Sequence, residues 1–195
     1  GAGGGEDEDA RRQSEIDRLF AEFAPKFPKA PQMNAEQLSK EMKASNAKKK
    51  KLVVVDVRTK DEQDVSMIKT ALRKEEFEVR KGEFKDHKVV AYCTIGYRSG
   101  QYVEKLCVEG FDAYNLKGSI LAWTHAGGEL VETVGAGAGG IAPALITNRV
   151  HTFGKDWDLA STDCEAVFFA KPAVTVVTNY IGGLIPDALK PWKWG

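Results

Sequence analysis

Seven consecutive residues, Cys93-Thr94-Ile95-Gly96-Tyr97-Arg98-Ser99, place a thiol, a glycine, a guanidinium and three hydroxyls within one short segment. The apolar run Val89-Val90-Ala91-Tyr92 leads into it and a helix-like pattern follows. A cysteine delivered by a strand to the start of a helix meets backbone N–H groups and the positive end of the helix dipole. Both stabilise a thiolate and hold an anion beside it. Gly96 permits backbone angles that other residues resist, and Arg98 adds fixed positive charge. Such a thiolate can attack the outer sulfur of a sulfane donor and become a persulfide, or attack phosphorus or arsenic in an oxyanion. Cys93 is the candidate nucleophile, and Thr94, Ile95, Gly96, Tyr97, Arg98 and Ser99 form the candidate substrate cradle.

The remaining reactive side chains are read more plainly. Cys107 follows Val103 by four residues, beside Leu106, on the inward side of a helix, and is a core cysteine; Cys164 lies in a polar stretch. Three widely spaced cysteines form neither a disulfide framework nor a Cys-x-x-Cys metal site, which points to a reducing, intracellular compartment, cytoplasmic or organellar. The first residue is Gly1, so a targeting segment could be missing. His87, His125 and His151 lack metal-ligand spacing and no Ser-His-Asp set is visible, so neither metal nor cofactor is expected. Asp56 and Arg58 are expected to form an ion pair or to tie a loop near the cradle. Arg98 could face the bound anion or a structural carboxylate such as Asp56, with the anion favoured.

Lysine and arginine total 28 against 28 aspartate and glutamate, which leaves no overall field to draw in nucleic acid or an anionic membrane. Lys48 to Lys51 read as a solvated connector. No apolar run approaches the roughly 18 residues needed to span a bilayer; the stretch from Ala173 to Ile185 is broken by Asn179, Gly182 and Gly183.

The elements that must position Cys93 follow from periodicity. Residues 1–13 are Gly-rich and charged without a large apolar side chain, the composition of a disordered tail. Within 14–33, Ser14 and Asp17 open an amphipathic helix carrying Ile16, Leu19, Phe20 and Phe23, and a connector punctuated by Pro25, Pro28 and Pro31 follows. Asn34 and Gln37 cap a second helix with Leu38 and Met42 on one side. Leu52 to Asp56 is a short β-branched run of the kind buried on both faces of a parallel sheet. Thr59 with Glu62 restarts a helix that turns Val65 and Ile68 inward, and the charged stretch from Arg73 to Lys88, with Phe77 and Val79 alternating, reads as irregular with a brief strand or helix in it. A helix from Ser99 to Glu109, stopped by Gly110, and a strand from Ala113 to Leu116 complete the pattern. Strands alternating with helices predict an α/β domain over 34–133 with a mainly parallel central sheet flanked by helices. Asp56 and Cys93 then fall at carboxyl ends of strands, where ligands gather. Residues 134–195 form an extension: Gly135 to Gly140 is a linker, and Trp157, Trp192 and Trp194 lie in a tail that could line a pocket over the loop but is rather expected to pack on the domain.

The Cys93 loop resembles the active-site loop of rhodanese-type sulfurtransferases. Val54-Val55-Asp56-Val57-Arg58 with Glu62, Ile68 with Ala71, and Gly118 through Ala122-Trp123, Ala126-Gly127 and Leu130-Val131 match the same family in the same order. The resemblance spans residues 34 to 132 and implies a rhodanese-like fold with N- and C-terminal extensions, and a persulfide on Cys93 held by Thr94 to Ser99. It implies transfer of sulfur from a small anionic donor such as thiosulfate to a thiol or other thiophilic acceptor. The related phosphatases and arsenate reductases place five residues between cysteine and arginine; here there are four, and Tyr92 stands where the phosphatases usually have histidine. The family's usual Gly-His-Ile-x-Gly-Ala is Ser66-Met67-Ile68-Lys69-Thr70-Ala71 here, and Gly118-Ser119 replaces a common Gly-Gly, tolerable if Ser119 keeps a negative φ. A non-catalytic binding or scaffolding module that recruits a protein partner through the extensions is the alternative, and a phosphatase or arsenate reductase the less favoured one.

Overall fold

The computed structural model describes residues 3–48, 51–133 and 144–169. In chain order the elements are α1 (Gly3–Phe23), β1 (Gln32–Met33), α2 (Ala35–Lys48), β2 (Leu52–Asp56), α3 (Lys60–Val65), β3 (Met67–Ile68), β4 (Leu72–Arg73) and α4 (Lys74–Arg80). They continue as β5 (Lys88–Tyr92), α5 (Tyr97–Val108), β6 (Asp112–Leu116), α6 (Ser119–His125), β7 (Leu130–Thr133), β8 (Ala144–Thr147), β9 (Arg149–Phe153) and β10 (Glu165–Phe168).

The central sheet has the order β1-β6-β5-β2-β4 with every pairing parallel. Its two middle strands are the β-branched runs: Val53 to Asp56 and Val89 to Tyr92 are buried throughout, as strands covered on both faces must be. Asp56 and Tyr92 are register partners, so the loops that follow β2 and β5 leave the sheet side by side. Capping sets two helix starts. Asn34 and Gln37 exchange side-chain to backbone bonds of 2.8 Å, and the Thr59 N–H donates to Glu62 Oε2 at 2.9 Å.

Several expectations change. Residues 3–13 form the first half of α1 rather than a disordered tail. Glu8 pairs with Arg11 and Arg12 within the helix, and Asp9 and Arg12 bond to residues 158–162 far along the chain. Ser14 is therefore no cap; its hydroxyl donates to Ala10 O in mid-helix. Of the brief strand or helix expected between Arg73 and Lys88 the structure has the helix, α4, followed by a 3-10 turn at Lys81–Phe84, both organised by Phe77, which is fully buried and packs on Phe84 and Phe111. Helix α3 turns Glu62 and Gln63 inward, Val65 is half-buried, and Ile68 belongs to β3. Helix α5 starts at Tyr97 rather than Ser99.

The extensions are part of the body. Phe23 and Phe27 are buried against Tyr97 and Phe20 against Phe27, and each of the three contributes about 1.5–3 kcal/mol of apolar burial. The ring of Phe27 lies where a side chain on Gly100 would have to be, which fixes the close approach of this aromatic cluster to α5. β8 joins β7 and β3 in an antiparallel sheet, and β9 pairs with β10. Trp157 is buried and stacks on Phe23 with centroids 6.2 Å apart. The Gly135 to Gly140 linker, Trp192 and Trp194 lie outside the described residues.

Candidate active site

Cys93 leaves the end of β5 in the sheet's interior, 1% exposed. Gly96 precedes α5 with φ +110°, a left-handed conformation that turns its N–H back onto Cys93 Sγ at 3.2 Å. A side chain here would also strike Phe20 of α1, so the loop glycine is required by conformation and by packing. The Ser99 hydroxyl stands 3.4 Å from Sγ and 2.6 Å from Asn115 Oδ1, and the Ser119 hydroxyl lies 3.9 Å from Sγ. Asn115 on β6 also donates to Gly96 O at 3.0 Å, tying the loop to the neighbouring strand. The Cys93 N–H donates to Ser119 Oγ at 3.0 Å, and Ile120 and Leu121 N–H groups donate to the carbonyls of Cys93 and Thr94. The loop is thus held from both sides before any ligand arrives.

Ser119 does this from φ +47°. The condition of a negative φ is not met: the Gly118-Ser119 turn keeps the left-handed geometry that glycine accepts freely. The hydroxyl's bonds to Cys93 N–H and Leu116 O offset part of the strain.

Charge around the sulfur is internally paired. Arg98 closes on Glu62 through two bonds of 2.8 Å, and a third reaches Thr94 Oγ1 at 3.1 Å. The structural carboxylate facing Arg98 is therefore Glu62, not Asp56. Burial would raise the Glu62 carboxyl, but Arg98 and then Arg58 outweigh it and hold it well below the usual carboxylate range. Asp56 instead binds Arg58 at 2.7 Å with both side chains fully buried, and the Tyr92 hydroxyl donates to the same carboxylate at 2.6 Å. Arg58 further donates to Ser66 O at 2.6 Å, and the Ile68 N–H donates to Tyr92 Oη at 3.0 Å. This network is the loop tie expected of Asp56 and Arg58. Burial raises the Cys93 thiol, whereas the Arg98 guanidinium, the Ser99 hydroxyl and N–H and the Gly96 N–H lower it; the lowering prevails, and the thiol lies below its ordinary value.

Residues 34–126 match the family described as the rhodanese-like domain, over just under half of the chain. This segment is a rhodanese-like domain. Among solved structures, the chain is 25% identical to a rhodanese-related protein from Thermoplasma volcanium, covering 53% of this chain and 99% of that one with a TM-score of 0.45. It is 28% identical to a rhodanese-like domain protein from Staphylococcus aureus (48% and 90% covered, TM-score 0.40). A thiosulfate sulfurtransferase from Pseudomonas aeruginosa is 22% identical, with 60% of this chain and 23% of that one covered and a TM-score of 0.47. No curated protein matches the chain. The rhodanese-like family includes sulfurtransferases, phosphatase-like members and others.

Of the cradle residues, Thr94, Ile95, Gly96, Tyr97 and Ser99 are buried with Cys93, and Arg98 is half-buried. The Thr94 hydroxyl faces Glu62 at 3.1 Å, while Ile95 and Tyr97 line a pocket of about 20 Å³ over the sulfur, closed by Phe153 and Trp157 of the extension. Residues 144–169 thus both pack on the rhodanese-like domain and cover its loop. Glu62, Ser119, Phe153 and Trp157 were not singled out as site residues in the sequence. Glu62 shows there as a helix cap and as one residue of the family match, and the two aromatics stand some sixty residues after Cys93. Among the described residues no group of histidine, cysteine and carboxylate side chains could hold a metal ion, and no helix is long and apolar enough to cross a membrane. A separate cavity of about 630 Å³ is lined by residues including Met42, Leu52, Phe84 and Trp123 and includes no residue of the Cys93 loop.

Proposed function

We propose that the protein is a sulfurtransferase that carries sulfane sulfur as a persulfide on Cys93. The observation that carries the reading is the convergence on one sulfur atom of the Gly96 N–H, the Ser99 hydroxyl and the Arg98 charge, within a pocket of atomic dimensions. The Cys93 thiolate attacks the outer sulfur of a donor such as thiosulfate. A bond forms from Sγ to that sulfur, the donor's S–S bond breaks, and its electron pair leaves on sulfite. A thiophilic acceptor then attacks the outer sulfur, and Cys93 departs as the thiolate that the Gly96 N–H and Arg98 stabilise. No net redox change and no cofactor are required.

The pairing of Arg98 with Glu62 favours sulfur over phosphate. A phosphatase-type loop needs its arginine to face the oxyanion, whereas both bonds of this guanidinium's fork are made to an internal carboxylate. Arg98 serves the thiolate through its charge, and the backbone from Thr94 to Ser99 supplies the cradle. The test is turnover with thiosulfate and cyanide, which Cys93→Ser should abolish, beside an aryl phosphate that the wild type should leave intact. Hydrolysis of the phosphate ester, or sulfur transfer by Cys93→Ser, would refute the assignment. An inert wild type would leave the rhodanese-fold binding module as the better description.

A further inference from the structure

The roof over Cys93 is built from a segment outside the rhodanese-like domain. Phe153 ends β9 and Trp157 follows in a 3-10 turn; both are 5% exposed and, with Ile95 and Tyr97, they leave about 20 Å³ above the sulfur. A single water molecule needs about 10–15 Å³, so the narrow space between these side chains has room for about one atom of the size of a persulfide's outer sulfur and not for a whole donor or acceptor.

Phe153 is held in a conformation it resists. Its φ is +74°, a true outlier for a bulky residue, and strain of that kind persists only where the surroundings impose it. The surroundings are named contacts. The Phe153 N–H donates to His151 Nδ1 at 3.0 Å, its carbonyl accepts the Phe169 N–H at 3.1 Å, and its ring lies 5.8 Å from the Arg98 guanidinium. The strap beyond it is fastened by the buried side chains of Trp157, Leu159 and Ala160 and by polar contacts. Arg12 donates to Ala160 O at 2.7 Å, Asp9 accepts the Thr162 N–H at 2.8 Å and the Ser161 hydroxyl at 3.3 Å, and His125 Nε2 meets Leu159 O at 2.8 Å. Cys93 beneath the strap is only 1% exposed, so a donor or acceptor reaches it only when these contacts part.

We propose that Phe153 and Trp157 are specificity-determining residues: closed, they shelter the outer sulfur on Cys93 from bulk thiols, and donors and acceptors enter only when the strap spanning residues 153–162 lifts. The proposal rests on the sulfurtransferase reading for its purpose, but its geometry can be tested without turnover. Reactivity seen from outside is the intrinsic reactivity multiplied by the open fraction, and a bulky reagent needs a wider opening than a small one.

The experiment is alkylation of the full reduced chain with iodoacetamide and with a dye-conjugated maleimide, with the extent at Cys93 read by peptide mass spectrometry. In the wild type, Cys93 should react with the maleimide far more slowly, relative to iodoacetamide, than an unfolded control does. Phe153→Gly removes the ring and relieves the positive φ at once, and Asp9→Ala with Arg12→Ala frees the strap without touching the loop. Each should raise the maleimide-to-iodoacetamide ratio at Cys93 by about tenfold or more while circular dichroism stays native. An unchanged ratio in both folded variants, or a wild-type ratio equal to that of the unfolded chain, would overturn the roof. An inert Cys93 toward thiosulfate with the ratios as expected would instead refute the sulfurtransferase reading and leave the roof standing.

Discussion

Arg98 and Glu62 meet through two parallel bonds of 2.8 Å, with the carboxylate fully buried, and this pairing decides what the cation beside Cys93 can do. Its charge reaches the sulfur while its hydrogen-bonding fork is occupied within the protein.

Removing that charge should make Cys93 less acidic. The rate of iodoacetamide modification follows the thiolate fraction, so its pH profile should rise at higher pH in Glu62→Gln/Arg98→Met than in the wild type. Arg98→Lys, which keeps the charge, should stay near the wild type. The double variant leaves no buried charge unpaired, so a shifted profile reports electrostatics rather than a broken fold.

The Asp56–Arg58 pair, buried on both sides, should be costly to break. Arg58→Ala leaves Asp56 buried without its cation and should lower stability by about 3–5 kcal/mol, read as a reduced urea midpoint. Asp56→Asn/Arg58→Met should lose less than Arg58→Ala alone. The opposite order would show that the pair does not tie the loops after β2 and β5.

Ser119 makes a separable prediction. Ser119→Gly and Ser119→Ala both lose the acceptor for the Cys93 N–H, but only glycine relaxes φ +47°. Ser119→Gly should therefore be more stable than Ser119→Ala by about 1–2 kcal/mol in urea denaturation, and equal stabilities would contradict the strain.

His151 should make the attachment of the C-terminal segment sensitive to acid. Burial pushes its imidazole down to about 4, with Glu62 and Asp61 opposing and Arg58 and Arg98 assisting, and Nδ1 accepts the Phe153 N–H. The folded value lies below the unfolded value of 6.5, so the contribution is fully present above pH 6.5 and is lost as pH falls toward 4. The whole amounts to about 3 kcal/mol. His151→Asn keeps an acceptor but does not titrate, and its urea midpoint should fall less between pH 7 and pH 4.5 than that of the wild type.

The features local in sequence were legible. Two β-branched runs gave the middle of the sheet, Asn34 with Gln37 and Thr59 with Glu62 gave helix starts, and the Cys93 loop announced itself by residue type. Features fixed by distant partners were not. The first half of helix α1 reads as a tail until Asp9 and Arg12 find residues 158–162, about 150 positions away. Phe77 and Val79 stand two apart like a strand's alternation, yet Phe77 is in the core while Val79 is 87% exposed on a helix. Arg98 drew attention as an anion ligand because nothing in the chain order shows that Glu62 will lie against it.

The most direct measurement is intact-protein and peptide mass spectrometry after the reduced, folded chain is treated with thiosulfate. Expected is one added sulfur atom, located on Cys93, released by cyanide and absent from Cys93→Ser. A folded wild type whose Cys93 stays unmodified while its thiol remains free would contradict the assignment of a persulfide to this loop.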